Sequence, residues 1–179
     1  AFLTLAAAAT AAEPPGVRWA PSWQAASAEA LERNVPILVI FVHQDEAGQG
    51  VEKSVLTVSE FVTASKKWVT VYCNKDDGQP TKKAGDKVFS ALTPGITVEE
   101  HVAAWKALSA KFFKADDATA PSFVWCLPTG DEFGRKEGAM PARELIAKLA
   151  EASKKAGPGL DAPDYVEALQ HIDAGKAAN

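Results

Sequence analysis

Between residues 36 and 73 the chain alternates apolar runs with helix-spaced apolar positions. Pro36-Ile37-Leu38-Val39-Ile40-Phe41-Val42 carries no polar side chain, the pattern of a strand covered on both faces. Over residues 50–66, Val51, Val55, Val58 and Val62 recur at i, i+4, i+7 and i+11, which predicts one helix with a single buried face. Trp68-Val69-Thr70-Val71-Tyr72-Cys73 reads as a second strand. A helical crossover between two strands predicts that they pair in parallel. Upstream, an alanine-rich stretch over residues 24–34 predicts a short helix with Ala26, Ala30 and Leu31 facing inward. Asn34-Val35-Pro36 ends it, because the residue before a proline disfavours the helical region.

Residues 74–95 are mostly polar, with a weak helical patch over residues 81–92 that stops at Pro94-Gly95. Thr97-Val98-Glu99-Glu100 matches a capping box, in which Thr97 and Glu100 satisfy each other's backbone donors. Val98, Val102, Trp105, Leu108 and Phe112 then continue one helical face to about Phe113. Ser122-Phe123-Val124-Trp125-Cys126-Leu127 is a third strand, and the turn Pro128-Thr129-Gly130-Asp131 folds it into a hairpin with residues 132–138. A helix opening at Pro141-Ala142-Arg143-Glu144 turns Leu145, Ile146 and Leu149 inward. Gly157-Pro158-Gly159 breaks the chain. A last short helix follows, with Asp161 as its N-cap, Tyr165, Leu169 and Ile172 as its apolar stripe, and Gly175 at its end.

A length of 179 residues with 47% hydrophobic content supports one domain with appendages. A net charge of -4 and scattered lysine pairs argue against nucleic acid as a partner. From Ala1 to Ala12 the chain is apolar or small, and Ala9-Thr10-Ala11 fits the small-residue rule of a secretory cleavage site, so an exported, periplasmic protein is expected. That arm and the apolar tail helix are two appendages suited to partner or membrane contact. The boundaries follow: residues 1–18 form the arm and linker, 19–156 the domain, and 157–179 a helical appendage.

The order of elements over residues 19–156, with Ala120-Pro121 directly before the third strand, resembles the thioredoxin core. The segment from Ala120 to Gly130, followed by Gly138 and the helix start at Pro141, carries most of the likeness. It is closest to exported thioredoxin-like domains with a Trp and Ala-rich helix ahead of the first strand. The resemblance implies an α/β fold with a central mixed sheet of about four to five strands flanked by helices. It also implies a cis bond before Pro121, facing the loop after the first strand. An extra helix is expected in the long connection between Cys73 and Ala120.

One departure governs the function. Where the resemblance places two redox cysteines, at a strand-to-helix turn whose dipole lowers a thiol pKa, this chain reads Asp45-Glu46-Ala47-Gly48. The remaining thiols, Cys73 and Cys126, stand at strand positions separated by the first strand and are expected to be buried and structural. His43, Asp45 and Glu46 offer imidazole and carboxylate groups to a metal, but Asp45 is more simply an N-cap and Glu46 a first-turn carboxylate. His101 and His171 are isolated helical histidines. No cofactor motif stands out. The expectation is a redox-inactive, non-enzymatic subunit of a larger, membrane-associated assembly, docking through His43, Gln44, Asp45, Glu46, Ala120 and Pro121. The alternative is a periplasmic thiol-redox or metal-binding protein using Cys73, Cys126 or His43.

Overall fold

A computed structural model gives the fold and describes residues 16–75, 81–90, 93, 95–114 and 118–177. The apolar arm from Ala1 to Ala12 therefore lies outside the described residues. Helix α1 (Trp23–Arg33) is followed by β1 (Ile37–Val42), α2 (Glu46–Val51), a π turn (Glu52–Leu56), α3 (Ser59–Ala64) and β2 (Val69–Asn74). A hairpin of β3 (Thr81–Ala84) and β4 (Lys87–Ser90) leads to α4 (Val98–Phe113), then β5 (Ser122–Cys126), β6 (Glu132–Glu137), α5 (Ala142–Ala156) and α6 (Ala162–Ala177).

The central sheet runs β2-β1-β5-β6. β1 is parallel to β2 and antiparallel to β5, which is antiparallel to β6. Every β1 side chain is buried, and their alternation feeds two cores. Leu38, Ile40 and Val42 face Val51, Val55, Phe61, Leu145 and Leu149, from α2, the π turn, α3 and α5. Ile37, Val39 and Phe41 face Ala26 and Ala30 of α1 and Trp105, Leu108 and Phe112 of α4. The molecule is thus a three-layer stack with helices on both faces of a mixed sheet.

Four local expectations need correction. The span 50–66 is not one helix. It starts at Glu46, widens into the π turn, breaks at Val58 in an extended conformation and restarts as α3. The extra residue per π turn rotates the valine stripe off the core, so Val58 and Val62 are half-buried while Phe61 is buried. The patch over residues 81–92 is, in its described part, the hairpin β3–β4 rather than a helix. Its two-residue turn puts Gly85 at φ +61°, a conformation glycine adopts freely. Leu31 and Val102 lie outside the buried faces of their helices, where Arg33 and His101 take the inward positions instead. Finally, α6 continues past Gly175 to Ala177.

Arg33 explains how the tail is held. It is 1% exposed, and its Nε donates to the Leu160 carbonyl at 3.0 Å and its Nη2 to the Lys66 carbonyl at 2.5 Å. Its Nη1 donates to Glu29 at 2.6 Å, which neutralises the buried charge. Asn34, left-handed at φ 54°, ends α1 and donates through Nδ2 to the carbonyls of Ala156 and Pro158. Tyr165 hydrogen-bonds Glu32, which leaves Leu169 and Ile172 of α6 exposed. Among the described residues, no helix is long and apolar enough to cross a membrane.

Candidate functional site

Phe41 near the end of β1 pairs with Ser122 at the start of β5. The residues that follow β1 and those that precede β5 therefore leave the sheet at the same end. This brings His43, Gln44, Asp45 and Glu46 to the sheet end that also carries Ala120 and Pro121, whose connecting peptide bond is cis. Asp45 and Glu46 are exposed, His43, Gln44 and Ala120 are half-buried, and Pro121 is buried. The His43 ring stands edge-on to Trp105 with centroids 5.0 Å apart, and Gln44 Oε1 accepts from Asn74 Nδ2 at 3.3 Å.

Asp45 is the N-cap of α2, its Oδ1 accepting from the Gly48 amide at 2.8 Å. Glu46 adds a first-turn carboxylate where the helix dipole favours negative charge. Gly48 is the tightest point of the loop. A Cβ there would lie 1.9 Å from the His43 carbonyl oxygen, far inside any real contact. The loop backbone occupies the space that a side chain at residue 48 would need, so a thiol at this position would force the loop to move.

The two cysteines are free, buried and far apart. Cys73 pairs with Phe41 and Cys126 with Ile37, on opposite sides of β1 and four residues apart along it. Two strand spacings and four residues of rise separate them by roughly 16 Å, well beyond disulfide reach. Burial pushes the Cys126 thiol up to about 12, with the Glu132 and Asp131 carboxylates adding to the effect. Burial raises Cys73 further. Neither thiol is a thiolate nucleophile at neutral pH.

Among the described residues, no three His, Cys, Asp or Glu side chains are gathered as a metal site. His43, Asp45 and Glu46 are neighbours in the chain, but Asp45 Oδ1 faces its own helix and the imidazole packs on an indole.

Behind the loop lies a buried polar chain that the hydrophobic pattern did not reveal. Tyr72 Oη donates to Glu52 Oε1 at 2.6 Å, and Asn74 Nδ2 approaches both Tyr72 Oη (3.5 Å) and Gln44 Oε1 (3.3 Å). His101 Nδ1 lies 2.9 Å from the Tyr72 carbonyl and Nε2 2.5 Å from Thr93 Oγ1. A carbonyl only accepts, so Nδ1 carries the proton and Nε2 accepts from Thr93. Burial raises the Glu52 pKa, against the Tyr72 hydrogen bond and the nearby Lys53 charge, which lower it. Burial lowers that of His101. The available signal was a glutamate beside Val51, four residues ahead of Leu56, on a helix face otherwise read as apolar.

No family model matches the chain, and no curated protein matches it in sequence. Solved structures do match in shape. A DsbH oxidoreductase superposes with a TM-score of 0.55 at 16% identity, covering 86% of this chain and 95% of its own. A thioredoxin from Thermus thermophilus superposes with a TM-score of 0.52 at 19% identity, covering 79% and 91%. With the sheet order β2-β1-β5-β6 and helices on both faces, these matches establish that the chain has the thioredoxin-like fold.

Proposed function

We propose that this chain is an exported, redox-inactive thioredoxin-like domain that acts as a structural or protein-interaction subunit of a larger, membrane-associated assembly. The observation that carries this reading is the rebuilt loop. Asp45 occupies the helix N-cap, and the His43 carbonyl fills the place of any side chain at residue 48. Exposed Asp45 and Glu46 beside Ala120 and Pro121 form the docking face, an acidic one that suits a basic partner surface. The apolar stretch from Ala1 to Ala12 supports export and membrane proximity. The fold by itself assigns no activity; this loop is the feature that does.

The test is purification of the native protein with its associated subunits in mild detergent, alongside a charge-reversed Asp45→Lys, Glu46→Lys variant. The expected result is a defined partner retained by the wild type and lost by the variant. The same partners on both proteins would remove the docking face. A monomer without partners under all conditions would remove the subunit role.

A further inference from the structure

Between α3 and α5, away from the loop at Asp45, runs an open groove of about 630 Å³, within the range of about 300–1,000 Å³ in which proteins hold ligands. Ala64, Trp68, Ile146 and Ala150 form its apolar floor, and Glu60 and Lys67 stand exposed at its rim. Trp68 is 4% exposed, and its indole Nε1 is buried with no acceptor among the described residues. A buried N–H of this kind calls for a partner. A backbone carbonyl of a segment laid against the ring supplies one.

The start of the described chain is directed at this groove. Trp19 bridges Thr70 in parallel, and the Ala20 amide donates to the Thr70 carbonyl at 2.8 Å. That register brings Gly16 level with Lys67, and Gly16 shares a cavity wall with Lys66 and Trp68. Val17 packs on the same core layer as Ala64 and Ile146. Because the two segments run parallel, the residues before Gly16 lead back past Lys67 toward the end of α3. Glu13, Pro14 and Pro15 span about 9 Å as an extended linker, which puts the Glu13 carboxylate within reach of the Lys67 ammonium. The twelve apolar or small residues ahead of them are ample for a floor about 11 Å long from Ile146 to Ser153.

We propose that the segment from Ala1 to Ala12 seats in the groove between α3 and α5 of its own domain when the protein is free in solution, with a backbone carbonyl accepting from Trp68 Nε1. The inference goes beyond the docking-face reading and does not involve Asp45 or Glu46. It assigns the arm a place before an assembly or a lipid surface competes for it, and so keeps an apolar stretch from standing exposed in water.

The experiment puts a nitroxide on Ala8→Cys in the full chain, in detergent-free buffer, and reads the broadening of amide NMR signals. The two native thiols are buried and stay unlabelled. Broadening is expected over residues 63–68 and 146–150. Ala150→Arg, at an exposed helix position, should abolish it and speed exchange of the Trp68 indole proton by about tenfold, the scale of one lost hydrogen bond. Broadening centred on Leu169 and Ile172 would place the arm on the α6 stripe and overturn the proposal. Broadening passed from spin-labelled chains to unlabelled, isotope-enriched ones would assign the groove to a second copy and overturn the seat within one chain. No broadening, or broadening unchanged in Ala150→Arg, would remove the groove as the seat. Charge reversal at Asp45 and Glu46 leaves this readout untouched, so the two readings fail separately.

Discussion

Gly48→Ala is expected to destabilise the protein even though it replaces glycine by the best helix former inside a helix. The added Cβ would sit 1.9 Å from the His43 carbonyl oxygen, roughly 1.5 Å inside ordinary contact, which begins near 3.4 Å. The obstacle is backbone, so no side-chain rotation relieves it. Overpacking of this kind costs about 1–3 kcal/mol. Displacing the loop also weakens the Asp45 cap, worth about 1 kcal/mol. Against these stands a helix-propensity gain of about 1 kcal/mol. The net is a loss of about 1–3 kcal/mol, or a fall in Tm of about 2–12 °C for a chain of this size. Gly50→Ala is the internal control: nothing lies within 4 Å of its would-be Cβ, so only the propensity gain acts and Tm should hold or rise. Thermal unfolding followed by far-ultraviolet circular dichroism compares the two directly. Equal behaviour of the two variants would refute the claim that the loop backbone closes over residue 48.

Other consequences follow from the buried polar groups and the caps. Glu52 has a folded pKa above its unfolded value, so its contribution is fully present below the unfolded pKa and is lost as pH rises through the folded one. Denaturant melts of Glu52→Gln should therefore lose that decline on the alkaline side, and an unchanged decline would exclude Glu52 as its source. His101, a base with a lowered pKa, is lost as a stabilising group when pH falls through its unfolded value of about 6.5, so His101→Gln should flatten the acid side of the same curve. Arg33→Met should cost about 3 kcal/mol, chiefly by leaving the Lys66 and Leu160 carbonyls without donors, with Glu29 keeping only the more exposed Arg18 as its ion-pair partner. Limited proteolysis should then cut near residues 157–161, and an uncut joint would show that α6 is held by other contacts. Thr97→Ala removes one half of the capping box and should cost about 1 kcal/mol in an equilibrium melt, whereas no change would mean that Glu100 alone serves the helix start.

Elements whose signal is local were legible in the chain. The apolar run of β1, the Thr97–Glu100 box and the turn from Pro128 to Asp131 each carry their own pattern, and each stands in the structure where that pattern put it. What was not legible depends on partners far away in sequence. Arg33 occupies a core position because the carbonyls of Lys66 and Leu160 and the Glu29 carboxylate converge on it, which no periodicity encodes. The π turn defeated the valine spacing because one additional residue rotates the whole stripe. The hairpin β3–β4 was hidden by lysines that leave little apolar alternation, so its turn glycine was the one available cue. At the candidate site, the absence of cysteine from residues 43–50 was plain from the sequence. The contact between Gly48 and the His43 carbonyl, and the polar chain from Glu52 to Gln44, required the structure.

The measurement that bears most directly on the central claim is disulfide reduction by the folded protein, with insulin as substrate and dithiothreitol as donor, run beside a native thiol count. The expected result is no acceleration over dithiothreitol alone and two thiols that react only after unfolding, as burial of Cys73 and Cys126 requires. Catalytic turnover that disappears in Cys73→Ser or Cys126→Ser would contradict it.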